Sequence, residues 1–210
     1  MIEGPPPHTT MSSRPDSTAQ HALAELQAAG DPAKARVLAG FFKTGEGQYG
    51  HGDRFLGVVV PAVRQIARRH AALPLADCRK VLASPWNEAR LLALLILVEQ
   101  YRTGSAAQQD KIYRLYLAQR ARVNNWNLVD SSAPGIVGAH LLQRDRAVLY
   151  ELAQSPVLWE RRIAVLATLT FIRAHDFTDI QQLSVLLLED PHDLMHKACG
   201  WMLRELEIGR

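Results

Sequence analysis

The sequence predicts an all-α fold in which HEAT-like helical repeats stack into a solenoid and form a single domain. Three observations predict this class. Apolar residues recur with helical spacing from about residue 17 onward, no segment shows the alternation of a half-buried strand, and long helices recur at intervals of 32 to 40 residues. With 210 residues and a hydrophobic content of 48%, the chain can also bury one sizeable core.

Capping residues and apolar spacing define the helices in chain order. The first pattern begins at Ser17, a candidate N-cap, and stops at Gly30. The second opens with Asp31 as N-cap and Pro32 at the first helical position. The Pro-, Ser- and Thr-rich segment that precedes them predicts a disordered leader over residues 1–16, with 17–210 as the folded domain. The remaining predicted helices cover residues 60–73, 74–83, 86–101, 106–119, 126–142, 145–154, 157–173, 179–188 and 193–207.

Composition and charge exclude several classes of protein. The longest strongly apolar run, residues 91–98, is about half of a membrane span, and the N-terminus lacks the apolar segment of a secretory signal. Cys78 and Cys199 lie in apolar helical patterns without a CxxC spacing, so we expect two buried thiols in a cytosolic protein. The net charge of +3, with 19 Arg among 24 basic residues, weakly favours a phosphate or nucleic-acid partner.

Three segments align as repeats, each with a capping residue, a proline and then a long helix. They start at Ser84, Ser155 and Asp190, and a fourth segment, "VNNWNLVDSSAPGIVGAHLL", fits the same frame. The three carry a basic residue just before the apolar run, where the fourth carries an aspartate. Stacked repeats present equivalent positions along one surface. The alignment therefore predicts a basic groove with one carboxylate, lined on the inner helices by Arg90, Asp130, Arg162 and Lys197.

Asp130 is unusual because carboxylates are rarely buried without a partner. It lies four residues after Trp126, which places the two side chains on one helix face, one turn apart. The residues alone leave two interpretations open: Asp130 is a functional carboxylate in a basic groove, or it pairs with Arg162 and ties neighbouring repeats together. Trp201 lies four residues after Lys197 and shares its face. Tryptophans beside a basic groove suit contacts with sugars or bases, with core packing as the alternative.

Two short motifs resemble ligand sites but lack the structural context. In "TGEGQYGHG", Gly45, Gly47 and Gly50 satisfy G-x-G-x-x-G, yet no predicted strand precedes them, so a flexible connection between helices is the better interpretation. His192 and His196 have the spacing of a zinc-binding helix, but no third ligand is evident. We expect neither a nucleotide nor a metal at these positions.

Four longer segments together resemble the DNA-alkylation-repair family, in particular the AlkD-like alkylpurine DNA glycosylases. They are "FFKTGEGQYGHGDRFLGVVVPAVRQIA", "NNWNLVDSSAP", "SPVLWERRIAVLA" and "HKACGWMLRE", in that order from about residue 20 to the C-terminus. The resemblance implies a right-handed α-solenoid with a concave basic face for duplex DNA. It places the functional roles of the family on Trp126 and Asp130 in "WNLVD", Arg162 in "WERRIA" and Trp201 in "KACGWMLRE".

The resemblance implies base excision of cationic N-alkylated purines such as 3-methyladenine and 7-methylguanine. Such a base leaves readily, and positive charge then develops on the deoxyribose, where the Asp130 carboxylate would stabilise it and orient water. Trp126 and Trp201 would press on the sugar and backbone of the lesion. Because Pro134 lacks an N–H, we expect the helix to begin or bend near Asp130. No lysine nucleophile lies beside Asp130, which indicates a monofunctional hydrolase without a Schiff-base lyase step.

The partner that the resemblance implies is double-stranded DNA containing alkylated purines. It also implies a monomer in the bacterial cytosol, associated with the nucleoid, and a reaction that needs no cofactor. The alternative is a non-catalytic HEAT-like scaffold that binds DNA or another protein, since a fold does not fix a function. The candidate DNA contacts are Arg162, Arg90, Lys197 and Arg161.

Overall fold

A computed structural model of the chain describes residues 18–208, so the predicted leader over residues 1–16 lies outside the described residues. Within 18–208 the regular structure is helical, apart from one isolated bridge between Arg54 and Trp86. This confirms the all-α class. The helices are α1 (Ala19–Ala28), α2 (Pro32–Phe41), α3 (Val60–Arg69), α4 (Leu75–Leu82), α5 (Asn87–Thr103), α6 (Ala106–Ala118), α7 (Trp126–Ala133), α8 (Ala139–Leu141), α9 (Ala147–Ala153), α10 (Leu158–Arg173), α11 (Thr178–Leu186) and α12 (Asp193–Ile208).

The first two helices show how local chemistry sets the boundaries. The N-cap of α1 is Thr18, whose hydroxyl accepts a hydrogen bond from the His21 amide, whereas the predicted cap Ser17 lies outside the described residues. Asp31 caps α2 as predicted, because its carboxylate accepts from the amides of Ala33 and Lys34 at 2.9 and 3.2 Å.

Helices α7 and α8 form one continuous helix that widens in its middle. Residues Pro134–Gly138 between them are π-helical, which follows from the missing N–H of the proline and agrees with the expected irregularity near Asp130. The Pro134 carbonyl accepts from the Ala139 amide and also from the Thr170 hydroxyl, the latter at 2.7 Å, and this second bond joins the segment to α10. A Cβ at Gly138 would overlap the carbonyl oxygen of Ala167, so glycine permits the close approach of α10.

The long helices pack against one another in chain order. Helix α5 contacts α7, α7 contacts α10, and α10 contacts α12, while α4, α9 and α11 each pack on the long helix that follows them. Helices α5 and α10 are apolar on nearly all sides because they are covered on both flanks, with Leu91–Leu97 and Ile163–Leu169 buried. The four aligned segments of the sequence supply α5, α7, α10 and α12.

Hydrogen bonds near the starts of α5, α10 and α12 define a common register for these three helices. Arg90 donates to the Ser84 carbonyl at 3.1 Å, and Arg161 donates to the Ser155 carbonyl at 2.9 Å, six residues back in both cases. His196 bonds the Asp190 carbonyl in the same way at 2.7 Å. The predicted row is therefore wrong at Arg90, because the alignment carried a one-residue gap. The structural equivalents of Arg90 are Arg161 and His196.

Asp130 does share its register with two of the predicted residues. It lies four residues after the first residue of α7, as Arg162 does in α10 and Lys197 does in α12. In α5 that position is Leu91, which is buried in the core. The row that contains Asp130 thus spans three of the four units.

Both cysteines are free and buried, as predicted. Burial raises the pKa of the Cys78 thiol to about 12 and also raises the pKa of Cys199. Among the helices of residues 18–208, none is long and apolar enough to cross a membrane.

Candidate active site

Asp130 and Arg162 form a bidentate ion pair between α7 and α10. The Nε and Nη2 atoms of Arg162 donate to the two carboxylate oxygens of Asp130, each at 2.8 Å. Planar guanidinium and carboxylate groups match in this fork-to-fork arrangement, which fixes the orientation of both. The Asp130 side chain keeps 18% of its surface exposed and that of Arg162 keeps 6%. The structure therefore contains the Asp130–Arg162 pair that one of the two sequence interpretations required, here between the neighbouring helices α7 and α10.

The third nitrogen of Arg162 joins a further helix to this pair. Its Nη1 atom donates to the Leu194 carbonyl in the first turn of α12 at 2.6 Å. A single guanidinium thus holds α7, α10 and α12 together. All three nitrogens are engaged within the chain and the side chain is 6% exposed, so this geometry does not favour the phosphate contact that the sequence analysis expects of Arg162, which stays a prediction.

Trp126 belongs to an aromatic cluster that the sequence interpretation did not include. Its indole stacks on the ring of Phe42, with centroids 4.8 Å apart and an interplanar angle of 13°. Phe42 stacks in turn on Phe55, and the exposed Phe41 meets Trp126 edge-on at 5.8 Å. Trp126 remains partly exposed at the start of α7, one turn before Asp130. The cluster holds the indole in a fixed plane beside the carboxylate.

Trp201 is also partly exposed and lies on α12. Its Nε1 atom donates to a carboxylate oxygen of Glu205, one turn later, at 2.9 Å. Seven residues, close to two helical turns, separate it from Leu194, so Trp201 projects from the same face of α12 that Arg162 contacts, about 10 Å along the axis. Asp130 and Trp126 therefore come from α7 and Trp201 from α12, two helices that Arg162 joins through its contacts with Asp130 and the Leu194 carbonyl.

Asp53, a buried aspartate, positions the start of α7. Asp53 accepts from Nη2 of Arg90 at 2.5 Å, from the Asn87 amide at 3.0 Å and from the Asn125 amide at 2.8 Å. Asn125 is the N-cap of α7, and its side-chain oxygen accepts from the Trp126 amide at 2.9 Å. This network ties the loop between α2 and α3 to α5 and to the segment that carries Trp126.

The structure corrects the DNA-contact prediction for Arg90. Its side chain is 5% exposed, and its guanidinium is committed to Asp53 and the Ser84 carbonyl. Burial lowers the pKa of Arg90, while the Asp53 charge opposes that change. Arg90 is thus a structural cation that a phosphate cannot reach.

Arg161 is also engaged by partners within the chain, whereas Lys197 stays open to solvent. Arg161 pairs with the buried Asp190 at 2.6 Å and donates to the Ser155 carbonyl. Lys197 is 67% exposed and pairs only with the equally exposed Asp193 on its own helix, a contact that contributes little in water. Of the four predicted contacts, Lys197 alone presents its charge to solvent.

The glycine-rich segment packs against the start of α10 and the turn that precedes α12. Tyr49 meets the rings of Trp159 and His192 edge-on, at 6.0 and 6.4 Å. The buried Glu88 carboxylate accepts from the amides of residues 56–58 and fixes the end of the same loop. The loop is thus a packed connection between helices. The sequence analysis missed the structural roles of Asp53 and Glu88. No local pattern predicts these roles, because the hydrogen-bond partners of both residues lie 30 or more residues away.

The two histidines of the zinc-like motif are used in local hydrogen bonds. His196 bonds the Asp190 carbonyl, and Nδ1 of His192 accepts from the Leu194 amide at 3.2 Å. Across residues 18–208 no group of three or more His, Cys, Asp or Glu side chains is placed to hold a metal ion.

Comparison with known proteins places the chain in a family. A family model described as DNA alkylation repair enzyme matches residues 22–208, so the chain belongs to that family and has a role in DNA repair, with DNA as its partner. Among solved structures it is similar to one described as a predicted DNA alkylation repair enzyme from Enterococcus faecalis, with 14% identity and a TM-score of 0.64 over 86% of this chain and 84% of that one. At such identity the likeness shows a shared fold. No curated protein sequence matches the chain.

Proposed function

We propose that the chain is a monofunctional, AlkD-like DNA glycosylase that hydrolyses the N-glycosidic bond of cationic N-alkylated purines in duplex DNA. Its substrates would include 3-methyladenine and 7-methylguanine, and Asp130 would be the catalytic carboxylate. The proposal also includes the finer features that the family resemblance implies: a right-handed HEAT-like solenoid, a monomer, and a place in base excision repair in the bacterial cytosol.

The observation that carries this proposal is the exposure of Asp130 compared with two similar aspartates. Asp53, Asp130 and Asp190 each pair with an arginine near the start of a long helix. The side chains of Asp53 and Asp190 are 3% and 2% exposed, so both carboxylates are buried, whereas Asp130 retains 18%. A purely structural tie has no need of solvent contact. Asp130 alone of the three presents its carboxylate to a ligand.

The ion pair with Arg162 leaves Asp130 able to act. A carboxylate offers about four lone-pair positions, and the bidentate contact with Arg162 occupies two of them. The remaining two can accept a hydrogen bond from water and face the C1′ region of a sugar. A negative charge held rigidly near that sugar stabilises the positive charge that develops as the base departs. Since Arg162 prevents rotation of the carboxylate, the site is oriented before DNA binds.

The partly exposed Trp126 supports a positioning role. Its ring is fixed by Phe42 behind it and lies one turn from Asp130. A fixed aromatic face suits contact with the sugar and backbone of the damaged nucleotide. Trp201 would bear on the lesion from α12. The leaving base is already cationic, so the site needs no strong general acid, and no cofactor enters the reaction.

Release of free base from methylated duplex DNA tests the proposal. The wild-type protein should release 7-methylguanine, and Asp130→Asn should lower the single-turnover rate on the order of a hundredfold, the usual effect of removing a preorganised electrostatic group. Asn keeps the shape of the side chain and one acceptor for Arg162. Asp190→Asn is the matched control, because it makes the same change in a buried carboxylate and should leave the rate within about threefold at temperatures where the protein is folded.

The second candidate, a non-catalytic scaffold, is favoured by the Asp130–Arg162 pair itself, which is what an inter-repeat tie would look like. DNA affinity cannot separate the candidates because both require it. Absence of base release by the wild-type protein at every salt concentration would refute the glycosylase and leave the scaffold.

A further inference from the structure

Two open depressions border the C-terminal half of α5. The first lies between α3 and α5, and the second lies between α5, the π-helical segment and α10. Val98 lines both, so they form one continuous surface across three units. Glu99 is the single acidic residue among the residues that line them. Their basic side chains, the arginine row, are Arg64, Arg68, Arg102, Arg144 and Arg173.

Members of the arginine row occupy equivalent places in the repeats. Arg102 lies 18 residues after Ser84, and Arg173 lies 18 residues after Ser155, in the last turns of α5 and α10. The repeat register therefore places these two charges at matching positions of successive units. Arg144 follows α8, the end of the intervening long helix.

The side chains of the row are available to a ligand, unlike the buried arginines at the helix starts. All five are exposed. Among the described residues Arg64, Arg68 and Arg173 have no hydrogen-bond or ion-pair partner, and Arg102 pairs only with Glu99, which is itself exposed. Arg144 gives one nitrogen to the His140 carbonyl. Five cations against one carboxylate leave this surface with a strong local positive charge.

The arginine row and Asp130 lie on the same side of the long helices. Arg162 and Arg173 are eleven residues apart on α10, close to three full turns, so they project from the same face about 16 Å apart. Pro134 and Gly135, which line the second depression, follow Asp130 by about one turn of the same helix. A ligand that reaches both Asp130 and the row must therefore lie along this face and span several units.

We propose that the arginine row binds successive backbone phosphates of duplex DNA while Asp130 addresses the damaged nucleotide. This assignment rests on the proposed function. It attributes the affinity for DNA to the arginine row and no longer to Arg90, Arg161 and Arg162. Guanidinium groups bind phosphate oxygens bidentately, and a charged row that spans several units matches an extended polyanion better than a small acidic ligand. Such contacts carry no sequence information, which suits an enzyme whose substrate is defined by its lesion.

The test measures binding to an undamaged duplex by fluorescence anisotropy over a range of NaCl concentrations. The row variant is Arg68→Gln/Arg102→Gln/Arg173→Gln. Its matched control is Lys34→Gln/Arg79→Gln/Lys80→Gln, which removes the same charge from exposed positions on α2 and α4, helices that line neither depression. Each lost phosphate contact reduces the slope of log K against log salt by about 0.9, so the row variant should lose about 2.7 and the control less than about 0.5.

Each outcome decides the proposal. An unchanged slope in the row variant, an equal change in both variants, or no binding by the wild-type protein would overturn the row as a phosphate contact. Base release is measured separately on the same preparations. If the wild-type protein binds DNA through the row but releases no base, the glycosylase fails and the row stands. If it releases base and the row variant keeps the wild-type slope, the row fails and the glycosylase stands.

Discussion

The Asp130–Arg162 pair should be detectable as a coupling energy, separately from any role in catalysis. Arg162→Ala removes two charge-assisted hydrogen bonds to Asp130 and one to the Leu194 carbonyl. Bonds to charged groups contribute about 1.5–3 kcal/mol. Because Asp130 keeps contact with solvent, the lower value applies to its two bonds, and the carbonyl adds about 1 kcal/mol. The loss is about 4 kcal/mol of unfolding free energy, or a fall in Tm of about 8–16 °C for a domain of this size.

The double-mutant cycle with Asp130→Ala isolates the pair. Asp130→Ala should cost about 3 kcal/mol because it leaves the buried guanidinium of Arg162 without its counter-charge. The double variant should cost about 5 kcal/mol instead of about 7, which gives a coupling energy of about 2 kcal/mol. Urea unfolding followed by far-UV circular dichroism measures all three variants. Asp130→Ala combined with Arg161→Ala is the control, because Arg161 contacts Asp190 and should add independently. Additivity of Asp130→Ala and Arg162→Ala within about 0.5 kcal/mol would refute the argument.

Three further predictions concern the structure around the site. Asp53→Ala should destabilise the protein by about 3–5 kcal/mol in urea unfolding, because it strands the buried charge of Arg90, and a loss below about 1 kcal/mol would show that the network is not needed. Gly138→Ala should lower the unfolding free energy by about 1–3 kcal/mol, since a Cβ there overlaps the Ala167 carbonyl, and a neutral result would mean that α10 can move aside. Burial raises the pKa of Cys78 to about 12, whereas the pKa of free cysteine is about 8.5. At pH 8 the alkylation of Cys78 by iodoacetamide should therefore be about a thousandfold slower than that of free cysteine until urea unfolds the chain. Fast labelling of the native protein, assigned to Cys78 by mass spectrometry, would contradict this.

Helix positions could be predicted from the sequence because they depend on local chemistry. Apolar spacing and caps such as Asp31 act within a few residues, and the predicted helices lie close to the observed ones. The spacing of Trp126 and Asp130 also survives, since four residues on one helix stay one turn apart in any packing. Features of this kind need no knowledge of the tertiary fold.

The partners of the charged residues could not be predicted in the same way. Arg161 and Arg162 are neighbours in sequence, yet one turns to Asp190 and the other to Asp130, because adjacent helical positions point about 100° apart. A one-residue gap in the alignment was therefore enough to place Arg90 in the wrong row. Asp53 lies in a glycine-rich loop, and only the packing of that loop on α5 brings it to Arg90, 37 residues away.

The arginine content of the chain consequently has two different meanings. One group of arginines pairs with aspartates of the same chain: Arg90, Arg161 and Arg162. A phosphate that approached them would have to displace a carboxylate partner at 2.5–2.8 Å. Arginines at the other ends of the long helices, such as Arg173, keep theirs in solvent. The same residue type thus joins the repeats at one end of each long helix and is free to bind a polyanion at the other. The arginine count of the sequence does not distinguish these two groups. We expect substitution of the exposed arginines to weaken DNA binding, and substitution of the buried ones to leave it unchanged as long as the fold is intact.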